Sequence, residues 1–462
     1  MAMSPLESQV TQEQILNYRF PHAGLFIPRV DLQDEDAVAR VTIAPAALSR
    51  AMKRERLELR TSSKNMVNVL HHTLRMQDLE TLQQTRESPS ERGAFASMNS
   101  LGVTVAFFQH ETEQASAMTE LADEYDFVPN FPLTIPARVR MEDVPATRGR
   151  AALDIREWPE ASGVGEAHAR GIRGSGVLVG VLDTGVDADH VEFAQQTITY
   201  RYVSFFPNSP YWPPRDVRGF DTNGHGTHVS GIIAGRNVGV APEATLYVAS
   251  VIESETTRTS LIRVAYGLDW ILRQFSRPDN EERPAVLNMS LGFPSTPPVN
   301  ISLAEFQQRL QVIRLMLRSL VQANVLPCIA IGNDGPGNFG YPGAFKEVIG
   351  VGAVDFTGHI ASFSGSGAPP APDAPVSKPD LVGYGVGVYS SVERDYQNNP
   401  IYQRFNGTSM ATPYVSGIAT LYRCQQPALP VANMRSKLLS SALPLPNEPA
   451  TQVGAGLARF VP

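Results

Sequence analysis

Three segments of the sequence carry polar residues whose types could perform chemistry together. The segments are VGVLDTGVDADH (179–190), DTNGHGTHVSGIIAG (221–235) and FNGTSMATPYVSG (405–417), and they contain Asp183, His225 and Ser409. A serine hydroxyl is a poor nucleophile until a neighbouring base takes its proton, and an imidazole base needs an acid partner to fix its tautomer. One residue of each type is present, so the segments predict nucleophilic catalysis by a serine.

The surrounding elements are expected to hold these residues at one edge of a sheet. Beyond residue 174, short apolar runs alternate with segments of helical spacing, and Asp183 closes the first run. Apolar runs of this kind are typical of parallel strands that are buried on both faces. The alternation predicts a doubly wound α/β domain, with helices on both faces of a mostly parallel sheet and the chemistry at the carboxyl ends of the strands. The predicted strands are VLVGVLD (177–183), TLYVAS (245–250), AVLNMSLG (285–292), VLPCIAIGN (325–333) and VIGVGAV (348–354). The predicted helices are HVSGIIAG (228–235), SLIRVAYGLDWILRQF (260–275), LAEFQQRLQVIRLMLRSLVQA (303–323) and SMATPYVSGIATLYRC (409–424).

The first 150 residues have a different organisation. Residues 1–37 show no sustained periodicity and are interpreted as an N-terminal extension. A strand, helix, strand, helix, strand pattern over 38–135 predicts a small α+β domain. Its segments are ARVTIA (39–44), helix formers through residue 85, GVTVAFF (102–108), TEQASAMTELADEY (112–125) and FVPNFPLTI (127–135). Residues 136–151 are interpreted as a connector, and 152–462 as the catalytic domain.

Composition excludes several other classes of function. The 462 residues include 39 Lys and Arg against 46 Asp and Glu, and a net charge of −7 is not the basic footprint of a nucleic-acid-binding protein. No run approaches the roughly 18 apolar residues of a membrane span, so neither nucleic acid nor a membrane is expected as a partner. Two cysteines, Cys328 and Cys424, exclude a disulfide framework and a cysteine metal cluster. The start MAMSPLESQVTQEQ lacks a secretory pattern, which predicts a cytoplasmic location, with leaderless export as the alternative.

The three polar motifs, in this order, resemble those of the subtilisin-like serine proteases (subtilases). D-T-G, H-G-T-H-V-S-G and G-T-S-M-A-T-P occur together, and the similarity covers nearly all of residues 152–459. The resemblance implies that Ser409 is the nucleophile, His225 the general base and then acid, and Asp183 the group that orients the imidazole. In AIGNDGPG (330–337), it implies that Asn333 donates to the oxyanion together with the Ser409 backbone N–H.

The same resemblance implies a substrate cleft for a polypeptide. Two extended segments would pair with the peptide backbone, Thr257, Arg258 and Thr259 on one side and Ser290, Leu291 and Gly292 on the other. The pocket for the P1 side chain, on the acyl side of the cleaved bond, would be walled by 290–292 and by Ala330 to Gly332, with Gly340 near its floor. Asp334, with Glu253 and Glu255, is hypothesised to favour basic side chains.

By position and coarse pattern, the N-terminal domain is expected to act as a propeptide. The resemblance implies a zymogen in which this domain is an intramolecular inhibitor and in which the connector is cut, with Arg148 and Arg150 as candidate processing positions. No cofactor is implied. The calcium-binding loop of secreted subtilisins is not expected, because GIIAGRNVGVAPEA (231–244) runs directly between a helix and the next strand; a weaker calcium site elsewhere stays open.

Plainer interpretations exist for several of these residues. An isolated serine before an apolar helix is usually an N-cap, and position 411 is Ala, which disfavours the G-x-S-x-G elbow of an esterase. His225 and His228 could form a metal pair, but no Glu lies between them, so His228 is expected to be structural. Asp187 and Asp189 suggest calcium and equally a tight turn. A catalytically silent or strictly regulated binding module with a subtilase fold is the alternative function, and activity lost in Ser409→Ala would discriminate the two.

Overall fold

A computed structural model of the protein describes residues 22–29, 95–98, 101–108, 111–133, 158–203, 215–253, 259–295, 302–370 and 377–462. The predicted strand at 39–44, the helix formers that follow it through residue 85 and the connector at 136–151 lie outside these residues.

The N-terminal part forms a four-stranded antiparallel sheet. Its strands are β1 (His22–Pro28), β2 (Phe95–Met98), β3 (Val103–Phe108) and β4 (Tyr125–Pro129), in the order β2-β3-β1-β4, and helix α1 (Glu111–Leu121) connects β3 to β4. Both faces of β1 are covered. Leu25 and Ile27 enter an apolar cluster shared with the α/β part, whereas Phe26 packs with Phe108 and Phe127 in the cluster that includes residues of α1.

Strand β1 corrects one predicted boundary. The sequence interpretation assigns residues 1–37 to an extension, yet His22–Pro28 is an inner strand of the sheet and pairs with both β3 and β4. A strand buried on both faces shows no alternation of polar and apolar residues, and this one ends at a proline after only seven residues. Periodicity therefore carries no signal for it.

The larger part is a doubly wound α/β domain, as predicted. Its main sheet has the order β16-β15-β13-β11-β6-β9-β7-β8, with seven parallel strands and β8 antiparallel at the edge. These strands are β6 (Leu178–Asp183), β7 (Ile198–Tyr202), β8 (Arg215–Val217), β9 (Thr245–Ser250), β11 (Ala285–Met289), β13 (Val325–Ala330), β15 (Ile349–Val354) and β16 (Leu381–Tyr384). The helices are α2 (Val164–Ala169), α3 (His225–Ala234), α4 (Leu261–Phe275), α5 (Leu303–Gln322), α6 (Thr408–Gln425), α7 (Val431–Ser440) and α8 (Ala450–Val453). Short strands β5 (Pro132–Leu133), β10 (Thr259–Ser260), β12 (Phe293–Pro294), β14 (Gly340–Tyr341), β17 (Val388–Val392) and β18 (Ile401–Phe405) form two-stranded pairs.

The core lies on both faces of the main sheet. Within β6, Val179 and Val181 enter the cluster that includes residues of α3 and α6, whereas Leu178 and Leu182 enter the cluster that includes residues of α4 and α5. A strand that is buried on both faces has an uninterrupted apolar sequence, which explains why the sequence pattern identifies β6. Asp183, its last residue, is the first charged side chain after this run.

The N-terminal sheet packs against α4 and α5. Phe131 is buried, its ring meets that of Phe293 at 5.9 Å, and the Arg309 guanidinium lies 5.0 Å from its centroid. Its carbonyl accepts from Leu261 N at 2.9 Å, and the Asn130 side chain accepts from Ile262 N at 3.1 Å. Both donors lie at the start of α4, where N–H groups have no partner within the helix.

A buried histidine makes the stability of the fold depend on pH. His190 is fully buried, its Nδ1 accepts from Glu192 N at 3.2 Å, and its Nε2 lies 3.1 Å from Ile401 O. Burial lowers the pKa of His190 below its ordinary value. The unfolded chain therefore takes up a proton as the pH falls through about 6.5, and the folded protein does so only at lower pH. The contribution of His190 to stability is complete above about pH 6.5 and is lost as the pH falls through the folded-state pKa.

We therefore expect His190→Asn to make the melting temperature fall less steeply between about pH 6.5 and pH 5, because an Asn side chain can still cap Glu192 N without taking up a proton. Thermal unfolding measured across this range checks the slope. His359→Gln is the control, since His359 is exposed and its hydrogen bond to Glu448 raises its pKa. An equally steep fall in wild type and His190→Asn would contradict the assignment.

Candidate active site

Asp183 and His225 form a buried hydrogen-bonded pair at the carboxyl edge of the main sheet. His225 Nδ1 lies 2.7 Å from Asp183 Oδ1, which also accepts from Thr184 N at 2.7 Å. Both side chains are 1% exposed or less. Since the carboxylate is an acceptor, this contact assigns a proton to Nδ1 and leaves Nε2 as the ring nitrogen that could accept a proton from a nucleophile.

Glycines allow the helix that carries His225 to approach Asp183. Gly224 precedes the helix with φ 80°, a left-handed conformation that glycine adopts without strain. Gly226 needs its missing side chain, because a Cβ there would overlap the carbonyl oxygen of Gly185. The glycine of the H-G-T-H motif is therefore required by close packing, in addition to the chemistry that its first histidine could perform.

Asp221 supports this pair, a role that the sequence reasoning missed. Its Oδ1 accepts from Thr184 Oγ1 at 2.7 Å, and its Oδ2 accepts from Thr227 N at 2.7 Å and Thr227 Oγ1 at 2.6 Å. Gly226 N in turn donates to Thr184 Oγ1 at 2.9 Å. The carboxylate thus joins the turn after Asp183 to the first turn of α3. The usual capping preference does not identify Asp221, because the N-cap position is Gly224 and Asp221 lies three residues before it.

Ser409 lies at the start of α6, as its second residue, and is 3% exposed. Among the described residues, neither Ser409 Oγ nor His225 Nε2 has a hydrogen-bond partner, although both atoms are buried. Catalytic hydrogen bonds are often long or poorly aligned without substrate, so the arrangement is compatible with a nucleophile and its base.

Asn333 follows β13 and lies beside the start of α6. Its Oδ1 accepts from Thr408 N and from Thr408 Oγ1, each at 2.9 Å. Its Nδ2 lies next to Gly407, 3.3 Å from the position that a Cβ would take there. Thr408 therefore fixes the amide orientation with the nitrogen on the side of the Ser409 turn. The sequence reasoning did not single out Thr408.

The residues predicted for the P1 pocket come together around two strand ends. Ser290, Leu291 and Gly292 follow β11, and Ala330 ends β13. Gly340 N donates to Ile331 O at 2.6 Å, which places Gly340 against the segment 330–332, and a Cβ on Gly292 would meet the carbonyl of Tyr341. Asp334 is exposed and lies next to Gly332.

The other predicted cleft segment is described only in part. Thr257 and Arg258 lie outside the described residues. Thr259 belongs to β10, which pairs antiparallel with β5, so that Leu133 lies opposite Thr259 and Pro132 opposite Ser260. The edge predicted for the substrate is thus occupied at Thr259 by the chain's own N-terminal part.

Glu253 has a different role from the one hypothesised. Its carboxylate accepts from the fully buried Arg263 at 2.6 Å and from Tyr202 OH at 3.0 Å. A carboxylate that already neutralises a buried guanidinium is a poor attractor for a basic substrate. Glu255 lies outside the described residues. Of the three acidic residues hypothesised to favour basic substrate side chains, Asp334 is therefore the one that remains among the described residues.

The loop after α3 is the loop that the sequence predicts to bind no calcium. Its N–H groups donate to the carboxylate of Glu192. The buried carboxylate of Glu192 accepts from Asn237 N at 2.8 Å, Asn237 Nδ2 at 3.0 Å, Val238 N at 3.3 Å and Tyr402 OH at 2.7 Å. Calcium requires six to eight oxygen ligands, whereas this loop presents N–H groups. The donor set does not fit a calcium ion there. In the parts of the chain that the structure describes, no cluster of three His, Cys, Asp or Glu could hold a metal.

The remaining polar candidates have structural contacts. His228 is buried, its Nε2 lies 3.1 Å from the carbonyl oxygens of Val388 and Gln403, and its ring stacks on Phe405 at 4.3 Å. Asp187 accepts from Arg394 N and Nε at 2.9 Å, and Asp189 pairs with Arg218 at 2.6 Å. Burial raises the pKa of the Cys328 thiol to about 12, so it is protonated and unreactive near neutral pH.

A buried Asp–His pair, a serine at a helix start and an amide beside it, all at the carboxyl edge of a doubly wound sheet, define the class of serine hydrolases. Residues 174–456 match the family model described as the subtilase family, Peptidase_S8. The chain belongs to this family and is a serine endopeptidase.

Curated relatives extend this similarity over most of the chain. It is 52% identical over 379 residues to "Subtilisin-like protease PopC" of Myxococcus xanthus (strain DK1622), covering 81% of this chain and 78% of that protein. It is 33% identical over 300 residues to "Intracellular serine protease" of Paenibacillus polymyxa, covering 62% and 79%. It is 34% identical over 285 residues to "Subtilisin Savinase" of Lederbergia lenta, covering 60% and 88%. Among the described residues, no helix has the length and apolar character to cross a membrane.

Proposed function

We propose that the chain hydrolyses internal peptide bonds through Asp183, His225 and Ser409. His225 Nε2 takes the proton of Ser409 Oγ as the oxygen attacks the scissile carbonyl carbon, and the C–N bond breaks as His225 returns that proton to the leaving amine. A water molecule, deprotonated by His225, then attacks the acyl-enzyme ester and releases Ser409. Asp183 stabilises the imidazolium that forms in both steps.

The oxyanion is proposed to receive two hydrogen bonds, from Asn333 Nδ2 and from the Ser409 backbone N–H. The fixed orientation of the Asn333 amide supports this role, because Thr408 holds its oxygen at two 2.9 Å contacts. Donors that are oriented before the reaction need no reorganisation when charge develops. The Ser409 N–H lies in the first turn of α6, where backbone N–H groups have no acceptor within the helix and can donate to another group.

The 2.7 Å contact between Asp183 and His225 carries this proposal. Incubation of the full chain with a peptide library tests it: we expect internal cleavages that a serine-directed fluorophosphonate blocks. The same library reports side-chain preference, and enrichment of Lys or Arg at P1 or P2 is expected from Asp334. Binding of peptides without cleavage would instead favour a silent binding module.

We further propose that the N-terminal domain is an intramolecular inhibitor, which rests on the pairing of β5 with β10 at the predicted substrate edge. Phe131 anchors this contact, so Phe131→Ala is expected to weaken docking and to raise the initial rate on a short peptide about tenfold or more, since truncating a buried Phe typically costs about 3–5 kcal/mol and about 1.4 kcal/mol is a factor of ten in an equilibrium constant. Steady-state rates of the full chain check this.

Met118→Ala is the matched control, because Met118 lies on α1 and is 40% exposed. Equal rates in Phe131→Ala, Met118→Ala and wild type would contradict inhibition by this domain. Processing at Arg148 or Arg150 stays a prediction, and N-terminal sequencing of wild type and Ser409→Ala tests whether it is autocatalytic.

Calcium is proposed not to stabilise the loop at 235–239, since Glu192 already satisfies its N–H groups. A ligand that binds only the folded state raises the melting temperature by mass action. If this loop binds no calcium, a chelator should leave the melting temperature within about 1 °C of its value in added calcium. Thermal unfolding with and without chelator measures this. Glu192→Ala is expected to lower the melting temperature equally in both solutions, and a large drop on chelation in wild type would contradict the proposal.

A further inference from the structure

The carbonyl of Ser409 cannot make the usual hydrogen bond of its helix. In α6 this carbonyl would accept from the N–H of residue 413, but residue 413 is Pro, which has none. The Ser290 hydroxyl donates to the Ser409 carbonyl at 3.0 Å. Because Ser290 is fully buried and Ser409 nearly so, this hydroxyl replaces a hydrogen bond that water would otherwise have to supply.

Asn288 holds the Ser290 hydroxyl, and Ser416 in turn holds Asn288. Asn288 Nδ2 donates to Ser290 Oγ at 3.3 Å, and Ser416 Oγ donates to Asn288 Oδ1 at 2.9 Å. Asn288 and Ser416 are fully buried. A hydroxyl has one proton to give, so a donor bound to its lone pair directs that proton towards the Ser409 carbonyl.

The network forms hydrogen bonds with α6 at two points on one face of the helix. Ser409 and Ser416 are seven residues apart, about two helical turns, so they lie on the same side of the helix. Both are joined to the end of β11, where Asn288 belongs to the strand and Ser290 follows it. The contacts therefore fix the position of α6 along its axis, and its rotation about that axis, relative to the central strands.

We propose that Ser290, supported by Asn288 and Ser416, is a positioning residue for the nucleophile Ser409, which rests on the proposed function of Ser409. The Ser290 hydroxyl holds the first turn of α6 at the Ser409 carbonyl, which Pro413 leaves without its intrahelical donor. The backbone of the same residue belongs to the segment proposed to pair with the substrate, so one residue aligns both the peptide and the nucleophile.

Ser290→Ala removes the hydroxyl and keeps the backbone that would pair with substrate. We expect kcat on a fluorogenic peptide to fall about tenfold, with KM within about twofold, because a lost buried hydrogen bond misplaces Ser409 in the transition state. Ser290→Thr keeps the hydroxyl and is expected to retain most of the activity. Ser416→Ala removes a hydrogen bond that supports Asn288 and does not contact Ser409 directly, so it is expected to lower kcat about threefold. It replaces Ser290→Ala as the test if that variant does not fold.

Pro413→Ala provides the sharpest test, because it restores an N–H at position 413 that the Ser409 carbonyl can accept. In this background Ser290→Ala is expected to lower kcat by no more than about twofold, instead of about tenfold. A merely structural role of Ser290 predicts the same factor in both backgrounds. Thr420→Val is the control on the same helix, since its buried hydroxyl donates to the Ser416 carbonyl at 2.8 Å. Its kcat is expected to stay within about twofold of wild type.

The outcomes separate the two proposals. A wild type that neither cleaves peptides nor reacts with a fluorophosphonate would refute the proposed function. An active wild type with unchanged kcat in Ser290→Ala, or an equal loss from Ser290→Ala with and without the Pro413→Ala change, would refute the positioning role alone.

Discussion

Ser409→Ala is expected to lower kcat for peptide hydrolysis by about six orders of magnitude, the size of loss known from subtilisins without this residue. The change removes the atom that forms the acyl-enzyme, whereas Asn333 and the backbone donors at the start of α6 remain. The folded state should be little affected, because Ser409 Oγ has no hydrogen-bond partner among the described residues. Hydrolysis of a fluorogenic peptide and thermal unfolding, measured on the same preparation, check both statements.

The matched comparison for this variant is the double variant Ser409→Ala, His225→Ala. Residues that act as one catalytic unit are not additive, so the double variant should be no slower than Ser409→Ala alone. Activity in Ser409→Ala above a hundredth of the wild-type rate would contradict the assignment of the nucleophile.

Asp183→Asn is expected to lower kcat by about four orders of magnitude near neutral pH, as the equivalent change does in other serine proteases. An Asn side chain would direct its amide N–H at His225 Nδ1, which then has to accept. The ring proton moves to Nε2, and Nε2 can no longer take the proton of Ser409. The 2.7 Å contact in a site that excludes water makes this preference strong.

Asp189→Asn is the control for Asp183→Asn, because Asp189 lies six residues further along, pairs with Arg218 and is 47% exposed. It removes the same charge and should leave kcat within about twofold, since exposed pairs contribute little. Equal losses in both variants would show that net charge, rather than the tautomer of His225, sets the rate.

Much of the fold was predictable because the parallel strands have two buried faces. The run 348–354 is apolar throughout and 177–183 is apolar up to its last residue, Asp183, and β15 and β6 lie within these runs. The places of Asp183, His225 and Ser409 were predictable because each stands where an apolar run ends or a helix begins, whereas their catalytic roles stay predictions that come from the family resemblance. Gly224 and Gly226 add a local backbone requirement that makes the motif around His225 recognisable.

The contacts that support the site were not predictable, because they join distant parts of the chain. Thr408 orients Asn333 across 75 positions, and Ser290 reaches Ser409 across 119. The internal pairing of Glu253 with Arg263 likewise cannot be seen from spacing, so a carboxylate that pairs with a buried guanidinium was interpreted as part of a substrate surface. Strand β1 was missed for a different reason, since it carries no alternation.

The central claim is that Ser409 is a nucleophile activated by His225 and Asp183. The most direct measurement is to incubate the full chain with a serine-directed fluorophosphonate and to locate the adduct by peptide mass spectrometry. A single adduct on Ser409, formed in wild type and reduced by orders of magnitude in Asp183→Asn and His225→Ala, is the expected result. An adduct on another residue, or labelling of Ser409 at the same rate in all three proteins, would contradict the claim.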